Sequence, residues 1–138
     1  MRLGLFANVT RQGAREAIQT FVEWAQQARH EVVLSTDLAG YTGDHLTYLP
    51  RSDIAGYSNV IVSMGGDGTM LATARDIRDS GTPILGINLG SLGFLTQLTP
   101  KQLVAALDRI AAGEYLIEER MLLKTAVAGD HQPSWPYA

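Results

Sequence analysis

Short apolar runs alternating with helical periodicity leave this chain few possible folds. Residues 2–7, 31–35, 60–62 and 83–87 are strand-length runs rich in Val, Ile and Leu. Between the first two, Ala14, Ala17, Ile18, Phe21, Val22, Ala25 and Ala28 recur at three- and four-residue spacing, the period of a single helical face. After the third run, Met70, Leu71, Ala74 and Ile77 share such a face. A further helix begins at Thr99-Pro100-Lys101-Gln102: Thr99 caps, Gln102 reaches back, and Pro100 suits the first helical position. Leu103, Val104, Leu107, Ile110 and Ala111 continue it, and Gly113 ends it. Residues 36–57, broken by Gly40, Gly43, Pro50 and Gly56, carry no clear period and read as irregular.

Short buried strands that alternate with helices predict an α/β fold for residues 1–113. It is Rossmann-like, with a mainly parallel sheet and helices on both faces. Right-handed crossovers then place the strand-to-helix loops, residues 65–69 and 88–94 among them, on one sheet edge. Ligands of such sheets bind at that carboxyl edge. From residue 114 the character changes. Residues 115–128 read as extended with an exposed apolar face, and residues 129–138 as a turn or frayed end, so 114–138 reads as the start of a second, β-rich domain.

Composition narrows the classes of function. The chain has 138 residues, 46% hydrophobic and 18% charged, which suffices for one domain with a real core. A net charge of −3 argues against nucleic-acid binding by bulk attraction. No apolar run approaches the roughly 18 residues of a membrane span, and the short apolar start, Met1 to Phe6, is no signal peptide. There is no cysteine, hence no disulfide framework. His30, His45 and His131 lack metal-ligand spacing and read as exposed. A cytoplasmic protein is the expectation. Trp24 falls beside the main apolar stripe of the first helix and reads as partly buried packing.

The segment that carries chemistry is Gly65-Gly66-Asp67-Gly68-Thr69, which follows a buried strand and opens a helix. Backbone N–H groups at a helix start favour anions, and glycines let a phosphate approach the backbone. An aspartate repels phosphate, so its place in such a loop calls for another role. Binding a bridging metal and taking a proton from an attacking hydroxyl are both parts of phosphoryl transfer. A tight turn capped by Asp67 or Thr69 accounts for the same letters. The loop is not a Walker A motif, since no Gly-Lys pair occurs, and it does not match G-x-G-x-x-G.

Gly-Gly-Asp-Gly-Thr at a strand end resembles the signature of a kinase superfamily. That superfamily includes NAD kinases, diacylglycerol and sphingosine kinases and, with Ser in the last place, phosphofructokinases. Asn88-Leu89-Gly90-Ser91-Leu92-Gly93-Phe94-Leu95-Thr96 is similar to the NAD kinase loop after the next strand, and Glu119-Arg120-Met121-Leu122-Leu123 to that family's Glu-Arg segment. The resemblance to NAD kinases implies an enzyme that phosphorylates the adenosine ribose 2′-hydroxyl of NAD to give NADP. ATP or polyphosphate would be the donor, with Mg2+ or another divalent cation. It implies Asp67 as the catalytic base and Gly66, Gly68 and Thr69 against the phosphates. Asn88 would bond ribose or hold its loop. Phe94 would lie beside the adenine, or in a core with Leu92 and Leu95. Arg11 would reach a phosphate or stay solvated, whereas Arg75 and Arg78 read as surface charges beside Asp76 and Asp79. Relatives usually form homodimers or homotetramers.

The family's later Asn-Asp/Glu and Thr-Gly-Ser/Thr-Ala-Tyr segments do not occur in this sequence. The expectation is therefore a truncated chain without NAD kinase activity of its own. Two rivals are a diacylglycerol-type lipid kinase domain, which shares the glycine-rich loop but not the 88–96 segment, and a non-catalytic nucleotide-binding domain.

Overall fold

The computed structural model describes residues 1–43, 45–96 and 98–123. Five strands form one parallel sheet: β1 (Arg2–Ala7), β2 (Glu31–Ser35), β3 (Thr47–Leu49), β4 (Val60–Gly65) and β5 (Ile84–Asn88), in the spatial order β3-β2-β1-β4-β5. The helices are α1 (Ala14–Gln27), α2 (Arg51–Tyr57), α3 (Asp67–Ile77) and α4 (Leu103–Ala111). The sheet is built outward in both directions from β1, so the chain reverses its winding between β1 and β4.

Alternate residues of each strand feed two cores. Leu3, Leu5, Val62 and Met64 pack with Ile18, Phe21, Leu103 and Leu107 of α1 and α4. Phe6, Val33 and Ile61 pack on the other face with Ile54 of α2 and Ile77 of α3. Gly4 in β1 lets α2 lie close, because a Cβ there would come within 2.5 Å of the Ile54 side chain.

The sequence reading of residues 36–57 as irregular is corrected: the segment contains β3, α2 and a 3-10 turn at Thr36–Leu38. Helix α2 shows no period because only Ile54 and Ala55 of its seven residues are buried. Val104 is 39% exposed, and Ala28 and Ala111 are also exposed. The apolar stripes of α1 and α4 are thus narrower than their sequences imply. Trp24 is more buried than expected, and its indole N–H donates to Asp108 of α4 at 2.7 Å. His30 is half-buried, its ring centroid 5.1 Å from that of Trp24. Burial, and then the nearby N-terminal charge, push its pKa down.

The expected ends of α4 are present. Pro100–Gln102 forms a 3-10 turn, and Gln102 Oε1 accepts from the Thr99 backbone N–H at 2.9 Å. Gly113 takes φ +77°, and the N–H groups of Gly113 and Glu114 return to Ile110 and Arg109, closing the helix as a left-handed glycine does. Residues 114–123 form no helix or strand. Leu116 is 100% exposed and Met121 88%. Residues 124–128, Trp135, Tyr137 and His131 lie outside the described residues.

Candidate functional site

At the edge where the winding reverses, the segment that leaves β1 and helix α3, which follows β4, bound a groove of about 650 Å3. Open α/β sheets bind ligands at such a reversal. Its walls are the segment after β1, with Asn8 and Arg11, and the start of α3, with Gly66, Asp67, Gly68 and Thr69. Asn8 N–H donates to Met64 O at 2.8 Å and Leu89 N–H to Gly65 O at 2.7 Å. The chain leaving β1 and the chain leaving β5 are thus both bonded to the end of β4, at one edge of the sheet.

The loop glycines differ in what they do. A Cβ on Gly65 would fall 2.1 Å from Thr69 Oγ1, so packing demands glycine there. A Cβ on Gly66 or Gly68 would meet nothing within 4 Å, and neither has a positive φ. The fold itself does not need those two glycines. What they leave is open backbone at the N-terminus of an 11-residue helix, where N–H groups and the helix dipole favour an anion.

Asp67 opens α3 on the groove wall, half-exposed. Its carboxylate is held by the turn after β5. Oδ2 accepts from Phe94 N–H at 2.9 Å, while Oδ1 accepts from Leu95 N–H at 3.1 Å and from Thr96 N–H and Oγ1–H, both at 3.2 Å. The Phe94 N–H, with the other turn donors, holds the carboxyl below the ordinary aspartate value. Gly93 makes room for it: a Cβ there would fall 2.2 Å from Oδ1.

Asn88 ends β5 and is buried. Its amide donates to Ser91 O at 2.9 Å and to Thr96 Oγ1 at 2.8 Å, and its Oδ1 accepts from Gly90 N–H at 2.7 Å. Of the two sequence readings for Asn88, this geometry is that of the loop brace. Phe94 is 91% exposed, which removes the reading of it as a core residue with Leu92 and Leu95.

A family model described as the ATP-NAD kinase N-terminal domain matches residues 3–115. The chain belongs to the NAD kinase family. It is 39% identical over 125 residues to an NAD kinase of Thiobacillus denitrificans, covering 88% of this chain and 42% of that protein. It is 38% identical over 126 residues to one of Moorella thermoacetica, covering 91% and 40%. The chain thus spans less than half the length of these relatives. Two solved structures share its fold. Yeast NADH kinase complexed with NADH superposes with a TM-score of 0.79 at 18% identity, over 100% of this chain and 46% of that one. An Archaeoglobus fulgidus NAD kinase in complex with ATP gives 0.60 at 24%, over 82% and 38%.

Within this NAD kinase fold, sequence reasoning missed several groove residues. Arg75, read as a surface charge, lines the groove with Arg11. Arg51 lies 4.4 Å over the Phe6 ring and bonds Asp76 at 2.6 Å and Asp37 at 3.2 Å. It ties α2 to α3 and to the Thr36–Leu38 turn across the groove wall. The signal for Arg51 was its place directly after Pro50, at the start of a helix hidden by the irregular reading. Among the described residues no cluster of three or more His, Asp or Glu stands ready for a cation. Asp37 and Asp76 are engaged by Arg51, and Asp67 by the 93–96 turn. The groove therefore offers no dedicated cation cage.

Proposed function

We propose that this chain forms the Asp67-bearing half of an enzyme that transfers a phosphoryl group from ATP to the adenosine ribose 2′-hydroxyl of NAD, giving NADP. The observation that carries the reading is the pairing of Asp67 with Gly66 and Gly68. A carboxylate stands at a helix N-terminus in the groove, between two glycines that the fold itself does not require. The open N–H groups suit phosphate, with Thr69 and the Arg11 guanidinium beside them. Asp67 suits the proton of the acceptor hydroxyl, which it takes as the ribose oxygen bonds to phosphorus and the donor leaves. The exposed ring of Phe94, whose N–H bonds Asp67, suits a stacking surface for adenine. The solved relatives hold NADH and ATP respectively, and both compound classes are assigned here to this groove and its rim.

Polyphosphate fits the same anion site as ATP. A divalent cation, if carried on the donor's phosphates as magnesium commonly is, would supply charge stabilisation there. The rest of the site belongs to a further, β-rich part of the enzyme, of the kind that its longer relatives have room for. Residues 1–113 are then the nucleotide-binding unit of an enzyme that works as a homo-oligomer in the cytoplasm. No described helix is long and apolar enough to cross a membrane.

Amide shift mapping tests this reading on the chain itself. Titration with ATP and magnesium should move the amides of Asn8, Gly66, Gly68 and Thr69, and titration with NAD those of Phe94 and Leu95. Affinity should be about millimolar, or roughly −4 kcal/mol. Shifts confined to surfaces away from these loops, or none at saturating ligand, would contradict it.

A further inference from the structure

Asp67 has two oxygens, and its surroundings treat them differently. Oδ1 accepts three bonds, from Leu95 N–H, Thr96 N–H and Thr96 Oγ1; Oδ2 accepts one, from Phe94 N–H. Each carboxylate oxygen has about two acceptor sites, so Oδ1 is full and Oδ2, with one bond, keeps an open site. The direction of the Thr96 bond follows from Asn88. The Asn88 Oδ1 accepts from Gly90 N–H, which fixes the amide so that its Nδ2 hydrogens go to Ser91 O and Thr96 Oγ1. Reversing the amide would set oxygen against the Ser91 carbonyl. Thr96 Oγ1 is therefore an acceptor towards Asn88, and its single hydrogen is left for Asp67. Both Asn88 and Thr96 are buried, at 2% and 1% exposure, so water does not compete for these bonds.

We propose that Thr96 is the positioning residue for Asp67: its hydroxyl, aimed by Asn88, fills Oδ1 and leaves Oδ2 to take the proton of the phosphoryl acceptor. This deepens, and rests on, the reading of Asp67 as the base. The acceptor's O–H bond breaks as the Oδ2–H bond forms. The freed oxygen pair bonds to the transferring phosphorus, and the phosphorus–oxygen bond to the donor breaks with its electrons leaving on the donor. Thr96 itself touches neither substrate. It keeps the carboxylate from rotating, so that the oxygen with an open site stays in place. The charged groups that share the groove with Asp67 are Arg11, Arg51, Arg75, Asp37 and Asp76; none of them makes or removes the hydroxyl bond.

Carboxyl carbon NMR titration of Asp67 in the 138-residue chain tests the proposal. Thr96→Val deletes the donor at nearly constant volume, and Thr96→Ala deletes it without a branched replacement if the Val variant fails to fold. Loss of a donor to the ionised form raises a carboxyl pKa. The Asp67 midpoint should therefore move up in Val and Ala and return to that of the parent in Thr96→Ser. In an active protein carrying this chain as its N-terminal half, Thr96→Val should lower kcat on the order of 10- to 100-fold through misplacement. The KM for NAD should change little, the acid limb of kcat should move upward, and Ser should restore both. A folded Val or Ala variant whose Asp67 titrates like the parent, or that turns over like it, overturns the proposal. Parent-like turnover of Asp67→Asn instead overturns the base reading, and with it the role given to Oδ2. The midpoint comparison still reports on the Thr96 bond in that case, so the two failures are distinguishable.

Discussion

Asp67→Asn, in an active protein carrying this chain as its N-terminal half, should lower kcat by about 10²- to 10⁴-fold, the usual contribution of a positioned base. NAD affinity should change far less. A group that acts only in the transition state lowers kcat and kcat/KM together. The substitution preserves size but places an NH2 group among N–H donors. Its carbonyl oxygen can face Leu95 and Thr96, and its nitrogen then faces the Phe94 N–H that Oδ2 accepts from. One hydrogen bond is lost there, at a carboxylate open to the groove. The structural effect is thus small beside the kinetic one, and thermal melts separate the two. The donors on Asp67 lower its pKa, so the base is ionised throughout the neutral range. The sign follows from that direction. The folded pKa is depressed, so the ionised clasp is complete above the ordinary carboxyl value and is lost as pH falls through the lower, folded one. The acid limb of activity should accordingly lie below the ordinary aspartate range when the clasp is intact. Parent-like kcat in Asp67→Asn would refute the base.

Gly93→Ala is the second change with a large expected effect. The new methyl would stand 2.2 Å from Asp67 Oδ1 and 2.5 Å from its Cγ. Either the carboxylate leaves its nest or the 93–96 turn moves away, carrying Phe94 with it. Both displace the base by a distance that commonly lowers turnover on the order of 10²-fold. Global stability should fall by only about 1–3 kcal/mol, the usual range for a crowded methyl. Gly68→Ala is the control for folding, because its methyl would meet nothing within 4 Å. Its melting temperature should match that of the parent. Circular dichroism melts and steady-state kinetics on the two variants check both statements. A Gly93→Ala protein with parent-like kcat would mean that Asp67 needs no support from this turn.

Four of the five strands were legible because each is built around a short run rich in Val, Ile and Leu, and the loop of residues 65–69 because its glycines follow one of them directly. Strand β3 was hidden because it has three residues, all at least partly exposed. Helix α2 was hidden because Pro50 and Gly56 read as breakers. Pro50 in fact caps the helix, and Gly56 sits in its last turn. The clasp on Asp67 left almost no trace in the sequence, since three of its four donors are backbone N–H groups that any residue could supply. The traces were Gly93, which needs its missing side chain, and Thr96, a hydroxyl in an apolar setting. Arg51 and Arg75 were missed for a different reason. That Arg51 of α2 lines one groove with Arg75 of α3 depends on how the two helices pack, and periodicity does not report that packing.

The most direct test of the central claim is a coupled-dehydrogenase assay for NADP, run with NAD, ATP and magnesium. The protein that carries this chain as its N-terminal half should form NADP with the new phosphate on the adenosine ribose 2′-hydroxyl. Its Asp67→Asn variant should retain little of that rate, and the 138-residue chain alone should form none. The reason for the last result is physical. An open groove admits water and leaves the phosphoryl acceptor unaligned, and this transfer depends on alignment and charge stabilisation. Product without a 2′-phosphate, or turnover by the isolated chain near the 1–10² s⁻¹ typical of kinases, would contradict the account.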